Sequence, residues 1–281
     1  MLTDLKPISG GKRFRGDTPS PNPQMPRVSV ITAVFNGEDC IASCIESVLR
    51  QDYPNIEHII LDGCSTDGTV AILRQYQDKI AFWQSEPDNG VYDAWNKGLD
   101  LANGEWIAFL GADDLYLPGA ISAYIELAKQ NQEAEFLSSR AQLDHPTGYS
   151  PVFGGPWEWP RFSKAMSTIH VGTLHHRNLF KRFGQFDTSY RIAGDYEFML
   201  RSRSSLRAAF TPTVTVIMRA GGLSDSTAGY LEARRAKIEA GVRSPFAAFV
   251  EWQRAILRFQ LRRTFLRVRH SLLRVANRSH L

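Results

Sequence analysis

Only three cysteines, Cys40, Cys44 and Cys64, occur in the 281 residues. An odd number without metal-ligand spacing excludes a disulfide-scaffolded secreted domain and a cysteine-built zinc site. They read instead as small core residues in a reducing compartment, with Cys40 and Cys44 at i, i+4 on one helix. Long hydrophobic runs are also missing, so no stretch is oily enough to span a bilayer. The opening segment MLTDLKPISGGKRFRGDTPSPNPQMP lacks the apolar core of a secretory signal and is rich in Pro, Gly and charge, which makes residues 1–26 an expected flexible leader. No G-x-G-x-x-G follows the first strand-like run, where FNGEDC stands, and no P-loop lysine motif occurs. A dinucleotide-binding Rossmann domain and a P-loop NTPase are therefore disfavoured. Acidic residues are absent from 252–281, which carries eight arginines, at 254, 258, 262, 263, 267, 269, 274 and 278. Removing those eight charges from the formal +4 leaves residues 1–251 at −4. The basic charge belongs to the tail, and a nucleic-acid groove through the body is not indicated.

What is present is a soluble α/β pattern, 43% hydrophobic and 22% charged. VSVITAVF (28–35) is a buried-strand run, and NGEDCIASCIESVLRQD continues as a helix with Ile41, Ile45 and Val48 on one face. IEHIILD (56–62) is the next strand, followed by a helix from STDGT, the strand KIAFWQS, the helix VYDAWNKGLDLA closed by Asn103-Gly104, and the strand Trp106 to Leu110. Alternating strands and helices imply a mostly parallel sheet whose ligands bind beyond the carboxyl ends of the strands. Asp62, Asp88 and Asp113 all fall at such ends, and Asp114 adds a second acid beside Asp113. Carboxylates converging on one rim repel unless a cation or ligand donors lie between them. A hard divalent ion with oxygen ligands, carrying substrate phosphates, is the natural occupant. The ordinary alternative is an acidic strand-to-helix turn, with Asp114 near a helix N-terminus.

The order and spacing of VSVITAVFNGEDCIASCIESVLRQDYPNIEHIILDGCSTDGT and SEPDNGVYDAWNKGLDLANGEWIAFLGADD closely resemble the nucleotide-sugar half of family 2 glycosyltransferases. HVGTLHHRNLFKRFGQFDTSYRIAGDYEFMLR (170–201) resembles the acceptor half of bacterial polysaccharide- and lipopolysaccharide-type members. The resemblance implies a GT-A fold: a Rossmann-like, mostly parallel sheet with helices on both faces. It divides the chain into a leader (1–26), a nucleotide-sugar half (27–118), an acceptor-binding and catalytic half of the same domain (119–225), and a basic helical tail (226–281). Asp113 matches the second Asp of the family's D-x-D element, which binds Mg²⁺ or Mn²⁺ on the diphosphate, with Asp114 as second choice. Phe35 matches an aromatic position beside the base, and Asp62 an acid near the nucleoside. Asp88 shares that rim, Lys97 lies close to the nucleotide, and His170 matches a histidine near the diphosphate. Asp195 matches the general base, with Glu197 next in line.

Three positions depart from the family pattern. Gly111 replaces the first Asp of D-x-D, Asp62-Gly63-Cys64-Ser65 replaces D-D-G-S, and Trp95 replaces an arginine found in many members. The base of the donor, uridine, guanosine or thymidine, stays open. The implied reaction is metal-dependent, inverting transfer from a nucleotide-diphosphate sugar to a hydroxyl of a glycan or lipid-linked acceptor in cell-surface polysaccharide biosynthesis. A non-catalytic nucleotide-sugar-binding or scaffold protein is the alternative, with Gly111 and Gly63 as marks of a decayed site. Each candidate also has a plain structural role: His170 as a core histidine, Asp195 as a helix cap, Lys97 as a surface charge, and Phe35 and Trp95 as core aromatics.

The segment MRAGGLSDSTAGY (218–230) combines a Gly-Gly pair with hydroxyls and suits a lid over the sugar diphosphate. In the tail, Leu257, Leu261, Phe265, Val268, Leu272 and Val275 form an apolar stripe at helical spacing, flanked by arginines. Such a helix suits the surface of an anionic membrane, on the cytoplasmic face where nucleotide sugars are made. Phe259, Leu266 and Leu273 recur on the opposite side, which suits packing on the body or on a second copy in a homo-oligomer.

Overall fold

The computed structural model describes residues 7–16, 24–145, 148–222 and 226–278, with side chains described to 261 and again at 264–265. The leader at 1–6 and 17–23, residues 223–225 of the proposed lid, and the side chains of Val268, Leu272 and Val275 lie outside the described residues.

In chain order the strands are β1 (Ile8–Gly10), β2 (Val28–Val34), β3 (Ile56–Asp62), β4 (Phe82–Ser85), β5 (Trp106–Phe109), β6 (Leu115–Tyr116), β7 (Phe136–Asp144), β8 (Val152–Phe153), β9 (Thr173–His176) and β10 (Ala208–Arg219). The helices are α1 (Ile41–Leu49), α2 (Thr69–Tyr76), α3 (Val91–Leu101), α4 (Ala120–Gln130), α5 (Trp159–Phe162), α6 (Asn178–Phe183), α7 (Gly194–Ser202), α8 (Thr227–Glu239) and α9 (Pro245–Arg278). They surround one mixed sheet of order β1-β4-β3-β2-β5-β9-β7-β10-β6, with β8 on β7. Its heart, β4-β3-β2-β5, is parallel. Antiparallel β9 joins that block to the parallel pair β7 and β10.

Why the central strands read as unbroken apolar runs is visible in how their side chains divide. On β2, β3 and β5, Val28, Val30, Ile60, Trp106 and Ala108 enter a core shared with α1, α2 and α4. Their neighbours Ile31, Ile59, Leu61, Ile107 and Phe109 enter a second core shared with α3, α6 and α7. A strand covered on both faces has no position for a solvated side chain, so the polar residues within β2 and β3, Ser29, Thr32, Glu57 and His58, are buried, and solvated polar groups start at the strand ends. The acids therefore gather where the strands stop.

The expected flexible leader is corrected for residues 8–15. Ile8–Gly10 pairs antiparallel with β4, and Lys12–Arg15 forms a 3-10 turn. Gly10 is required there, because a Cβ would lie 2.5 Å from the Trp83 indole nitrogen. Arg13 reaches the buried Glu57 carboxylate at 2.6 Å and the Leu101 carbonyl at 2.7 Å. Burial pushes the Glu57 carboxyl up, but the Ser29 hydroxyl, the Asn103 N–H and Arg13 together hold it below its ordinary range. A buried acid on β3 thus needs a cation, and the segment ahead of β2 supplies it.

Candidate active site

The loops leaving β2, β3, β4 and β5 form one rim, and polar side chains tie them together. Asn36, in the left-handed region at φ 50°, accepts the Thr66 N–H at 2.9 Å, while the Asn36 N–H donates to the Ser65 hydroxyl at 2.7 Å. This brace projects Phe35, which is 64% exposed. Cys64, at φ 66°, stands where the resembling family has glycine, and a side chain in that conformation costs roughly 1–2 kcal/mol. Asp62 is buried; its carboxylate accepts the Ser65 N–H at 3.1 Å and the hydroxyls of Ser65 and Ser85 at 2.5 Å. It acts in the free protein as the knot of the rim.

Asp88 lies against the glycine next to Asp62. A Cβ on Gly63 would stand 2.7 Å from Asp88 Oδ2, so the space beside position 63 already holds a carboxylate. Burial pushes the Asp88 carboxyl above its ordinary range, against the Gly90 N–H bond at 2.8 Å. Lys97 is held by Glu86 at 2.8 Å and Asp93 at 3.6 Å, and donates to the Pro87 carbonyl at 3.1 Å. Its ammonium offsets the acids of the β4–α3 loop.

Beyond β5 the two adjacent acids diverge. Asp114 turns inward, 5% exposed, and accepts the Arg219 N–H at 3.1 Å. Burial, then the neighbouring Asp113, pushes its carboxyl up to about 7. Asp113 is half-buried and makes no ion pair among the described residues. Gly111 is what permits this arrangement, since a Cβ there would come 2.5 Å from Asp114 Oδ2 and 3.1 Å from Asp113 Oδ1. With glycine there, the carboxylates of the two following acids occupy the space a Cβ would take. Among the described residues no group of three His, Cys, Asp or Glu is placed to hold a metal. The side chains supply one available carboxylate, Asp113, with Asp114 buried behind it. That donor set fits a Mg²⁺ or Mn²⁺ ion that arrives with a diphosphate and takes most of its ligands from it and from water.

His170 lies under this rim, packed against the rings of both Trp95 and Phe109 at centroid distances of 5.0 and 5.2 Å; those two rings also touch each other at 4.8 Å. Burial lowers its pKa to about 3, so the ring is neutral, and Nε2 has no hydrogen-bond partner. The Trp95 indole N–H is buried and unpartnered as well. An unmet buried polar atom costs about 1–3 kcal/mol. Two of them together beneath a rim are a place where a ligand's polar groups would be welcome.

Asp195 begins α7, from the other half of the sheet. Its Oδ1 accepts the Tyr196 N–H at 2.8 Å and the Tyr92 hydroxyl at 3.2 Å, whereas Oδ2 receives no hydrogen bond among the described residues. Burial pushes the carboxyl up to about 6; the Tyr196 N–H and Tyr92 hydroxyl pull it down, and Glu232 pushes it up further. Glu197, two residues on, is committed to Arg201 at 2.5 and 2.9 Å. Tyr92 belongs to α3, and its ring meets Trp95 edge-on at 5.4 Å, so Asp195 joins His170 through two aromatic rings. Phe35, Asp62, Asp88 and Lys97 thus share the rim of β2 to β4, Asp113 and Asp114 follow β5, and Asp195 with His170 comes in from the second half. Sequence reading missed Tyr92, Arg219 and Glu232. Tyr92 and Arg219 meet their partners 103 and 105 residues away, where no local signal exists.

The family profile described as Glycosyl transferase family 2 matches residues 29–184. A Mycobacterium bovis protein named PGL/p-HBAD biosynthesis glycosyltransferase is 27% identical over 251 residues, covering 86% of this chain and 96% of its own. An uncharacterized glycosyltransferase of Mycobacterium tuberculosis is 34% identical over 181 residues, covering 63% of this chain and 69% of its own. Among solved structures, S. aureus TarS 1-349 in complex with UDP-GlcNAc superposes with a TM-score of 0.62 at 18% identity, over 79% of this chain and 69% of that one. The Pyrobaculum calidifontis mannosyltransferase PcManGT, in complex with GDP-Man and Mn²⁺, gives 0.59 at 19% identity, over 95% of this chain and 80% of that one. At such identities the structural likeness is one of fold.

Proposed function

Because the chain belongs to glycosyl transferase family 2 and is a glycosyltransferase of GT-A fold, we propose that it inverts the sugar it transfers from a nucleotide-diphosphate donor to a hydroxyl of a glycan or lipid-linked acceptor. The observation that carries this reading is Asp195: a carboxylate oriented through one oxygen, with the other free of hydrogen bonds among the described residues. Its pKa of about 6 suits a base that must be ionised near neutrality yet still accept a proton. In this reading Asp195 takes the proton of the incoming hydroxyl on the face of the sugar opposite the diphosphate, and a single displacement inverts the anomeric centre. Asp113, backed by Asp114, would hold Mg²⁺ or Mn²⁺ together with the diphosphate. When bound, the ion offsets charge on the departing nucleoside diphosphate. Phe35 lies against the base, Asp62 and Asp88 border the nucleoside, Lys97 balances that rim, and neutral His170 meets the diphosphate from below. The halves 27–118 and 119–225 would thus serve donor and acceptor respectively.

Gly111 and Gly63 do not favour the decayed, scaffold-only alternative, since each leaves room for a carboxylate already in place. The purified protein is expected to release nucleoside diphosphate slowly from one of UDP-, GDP- or dTDP-sugars when Mg²⁺ or Mn²⁺ is added. Release from none of them with either ion would return the reading to a scaffold.

The name of the Mycobacterium bovis relative supports a biosynthetic setting, which we read as cell-surface polysaccharide assembly at the inner face of the cell membrane. Among the described residues no helix is long and apolar enough to cross a membrane. On α9, Phe259 is buried and packs on Tyr230 of α8 at 5.6 Å, while Leu257, Leu261 and Phe265 are 57, 62 and 60% exposed. One side of the helix is thus seated and the arginine-flanked apolar side faces outward, as a helix lying in an anionic membrane surface requires. Each basic residue near such a surface adds about 1 kcal/mol. Full-length protein is expected to float with phosphatidylglycerol-containing vesicles at low salt, and the triple variant Leu257→Glu, Leu261→Glu, Phe265→Glu to stay at the bottom with donor hydrolysis intact. Equal behaviour of the two proteins assigns the stripe to protein contacts, a homo-oligomer included.

A further inference from the structure

We infer that Glu232 of α8 is the positioning residue for the Asp195 base, gripping the backbone that delivers Asp195 from outside the site. This rests on the reading of Asp195 given above. The chain between α6 and α7 has no strand or helix of its own, so something else must fix where α7 begins. Glu232 does so by accepting three consecutive backbone N–H groups, those of Arg191 at 3.0 Å, Ile192 at 2.8 Å and Ala193 at 2.9 Å. A carboxylate is the side chain suited to this cradle, because it presents only acceptors to three donors pointing the same way. Ile192 is held from both sides: its N–H goes to Glu232, and its carbonyl accepts the Tyr92 hydroxyl at 2.7 Å. The same Tyr92 oxygen contacts Asp195 Oδ1. Asp195, three residues beyond Ile192, is thereby placed by α8 on one side and α3 on the other.

The grip extends along one face of α8. Arg235 donates to the Ser189 hydroxyl at 2.9 Å and lies 4.3 Å over the Tyr190 ring, and Glu239 accepts the Tyr190 hydroxyl at 2.7 Å. These residues stand at i, i+3 and i+7, one surface of a helix. The groups facing Asp195 are the Tyr92 phenol from α3 and the Glu232 carboxylate from α8, while Glu197 on α7 itself is neutralised by Arg201. The Glu232 charge helps hold the Asp195 carboxyl up, so Glu232 both places the base and keeps it basic.

The test uses the full chain and release of nucleoside diphosphate from UDP-, GDP- and dTDP-sugars, followed from about pH 5 to 8 across the acid limb of a general base. Glu232→Gln is expected to lower kcat about tenfold or more, the scale of a slight misplacement of a reacting group. The donor KM should change little, and the acid limb should move to lower pH because the neighbouring negative charge is gone. Glu232→Asp keeps the charge without the reach, so its limb should stay in place while kcat falls. Wild-type kcat in either variant overturns the proposal, and so does a fall in kcat for Glu232→Gln with an unmoved limb, which marks a purely structural contact. Should Glu232→Gln fail to fold, as thermal melting shows, Glu232→Asp decides alone by its kcat. Asp195→Asn, run beside them, separates the two claims: if it keeps turnover and the acid limb, the base assignment itself has failed, whatever the Glu232 variants do.

Discussion

The Asp113→Asn protein is expected to lose sugar transfer and most of its metal-dependent affinity for nucleoside diphosphates. The amide keeps the shape of the side chain but removes the charge that would draw a hard divalent ion to the end of β5. Two arrangements make this a large effect. Asp113 is the carboxylate of the pair that is left half-buried and free of ion pairs among the described residues. Asp114 cannot replace it, because its carboxylate is turned inward onto the Arg219 N–H and packed against Gly111. Removing the neighbouring charge lowers the Asp114 pKa from about 7 and ionises it more fully, yet leaves its oxygens where they are. Loss of an outer-shell partner alone costs about 10–100-fold in metal affinity, and loss of a direct ligand should cost at least that. Calorimetry with UDP, GDP and dTDP, with and without Mn²⁺, checks it; unchanged Mn²⁺-dependent binding by the mutant would sink the metal assignment.

The donor side of this molecule was legible because its physics is local. A strand covered on both faces is mostly apolar, so β2, β3 and β5 appear as runs despite the buried Ser29, Thr32, Glu57 and His58 within them, and the acids that follow them appear as Asp62 and Asp113. Helix α3 is announced by its apolar spacing and by the Asn103-Gly104 stop. The pairing of Ile8–Gly10 with β4 was not legible, since three residues inside a Pro- and Gly-rich segment carry no periodicity. What orders them is Glu57, whose burial no local pattern reveals. Asp195 was found only through resemblance, and its setting was hidden. Tyr92 reaches it across the two halves, and Glu232 acts on backbone N–H groups, which have no residue identity to read. Gly111 was misleading for a related reason: its meaning lies in two side chains that fold back over it, and the letters show only a missing acid.

For Asp195→Asn we expect donor binding close to wild type and turnover lower by about 10²–10⁴-fold, the range a positioned general base contributes. Only the proton acceptor is removed: the amide oxygen can still receive the Tyr92 hydroxyl and the Tyr196 N–H, so the neighbourhood keeps its bonds. The wild-type rate should fall below pH about 6, where the carboxyl becomes protonated, and that acid limb should be absent from whatever activity the variant retains. Stability supplies an independent sign. The carboxyl rises from an ordinary 3.8 to about 6 on folding, so the folded protein holds this proton more tightly than the unfolded chain does. The resulting stabilisation is complete below the unfolded pKa and is lost as pH rises through about 6. At neutral pH the ionised, desolvated carboxylate therefore costs the fold on the order of 2–3 kcal/mol. The Asn variant should melt at a higher temperature than wild type at pH 7.5, and the gap should close as the pH approaches 4. A variant that loses turnover yet is more stable at neutral pH is the signature of a base kept in an unfavourable place for its chemistry. Near wild-type kcat with a saturating acceptor would remove Asp195 from the mechanism, and a lower melting temperature at pH 7.5 would mean that its carboxylate serves the fold instead.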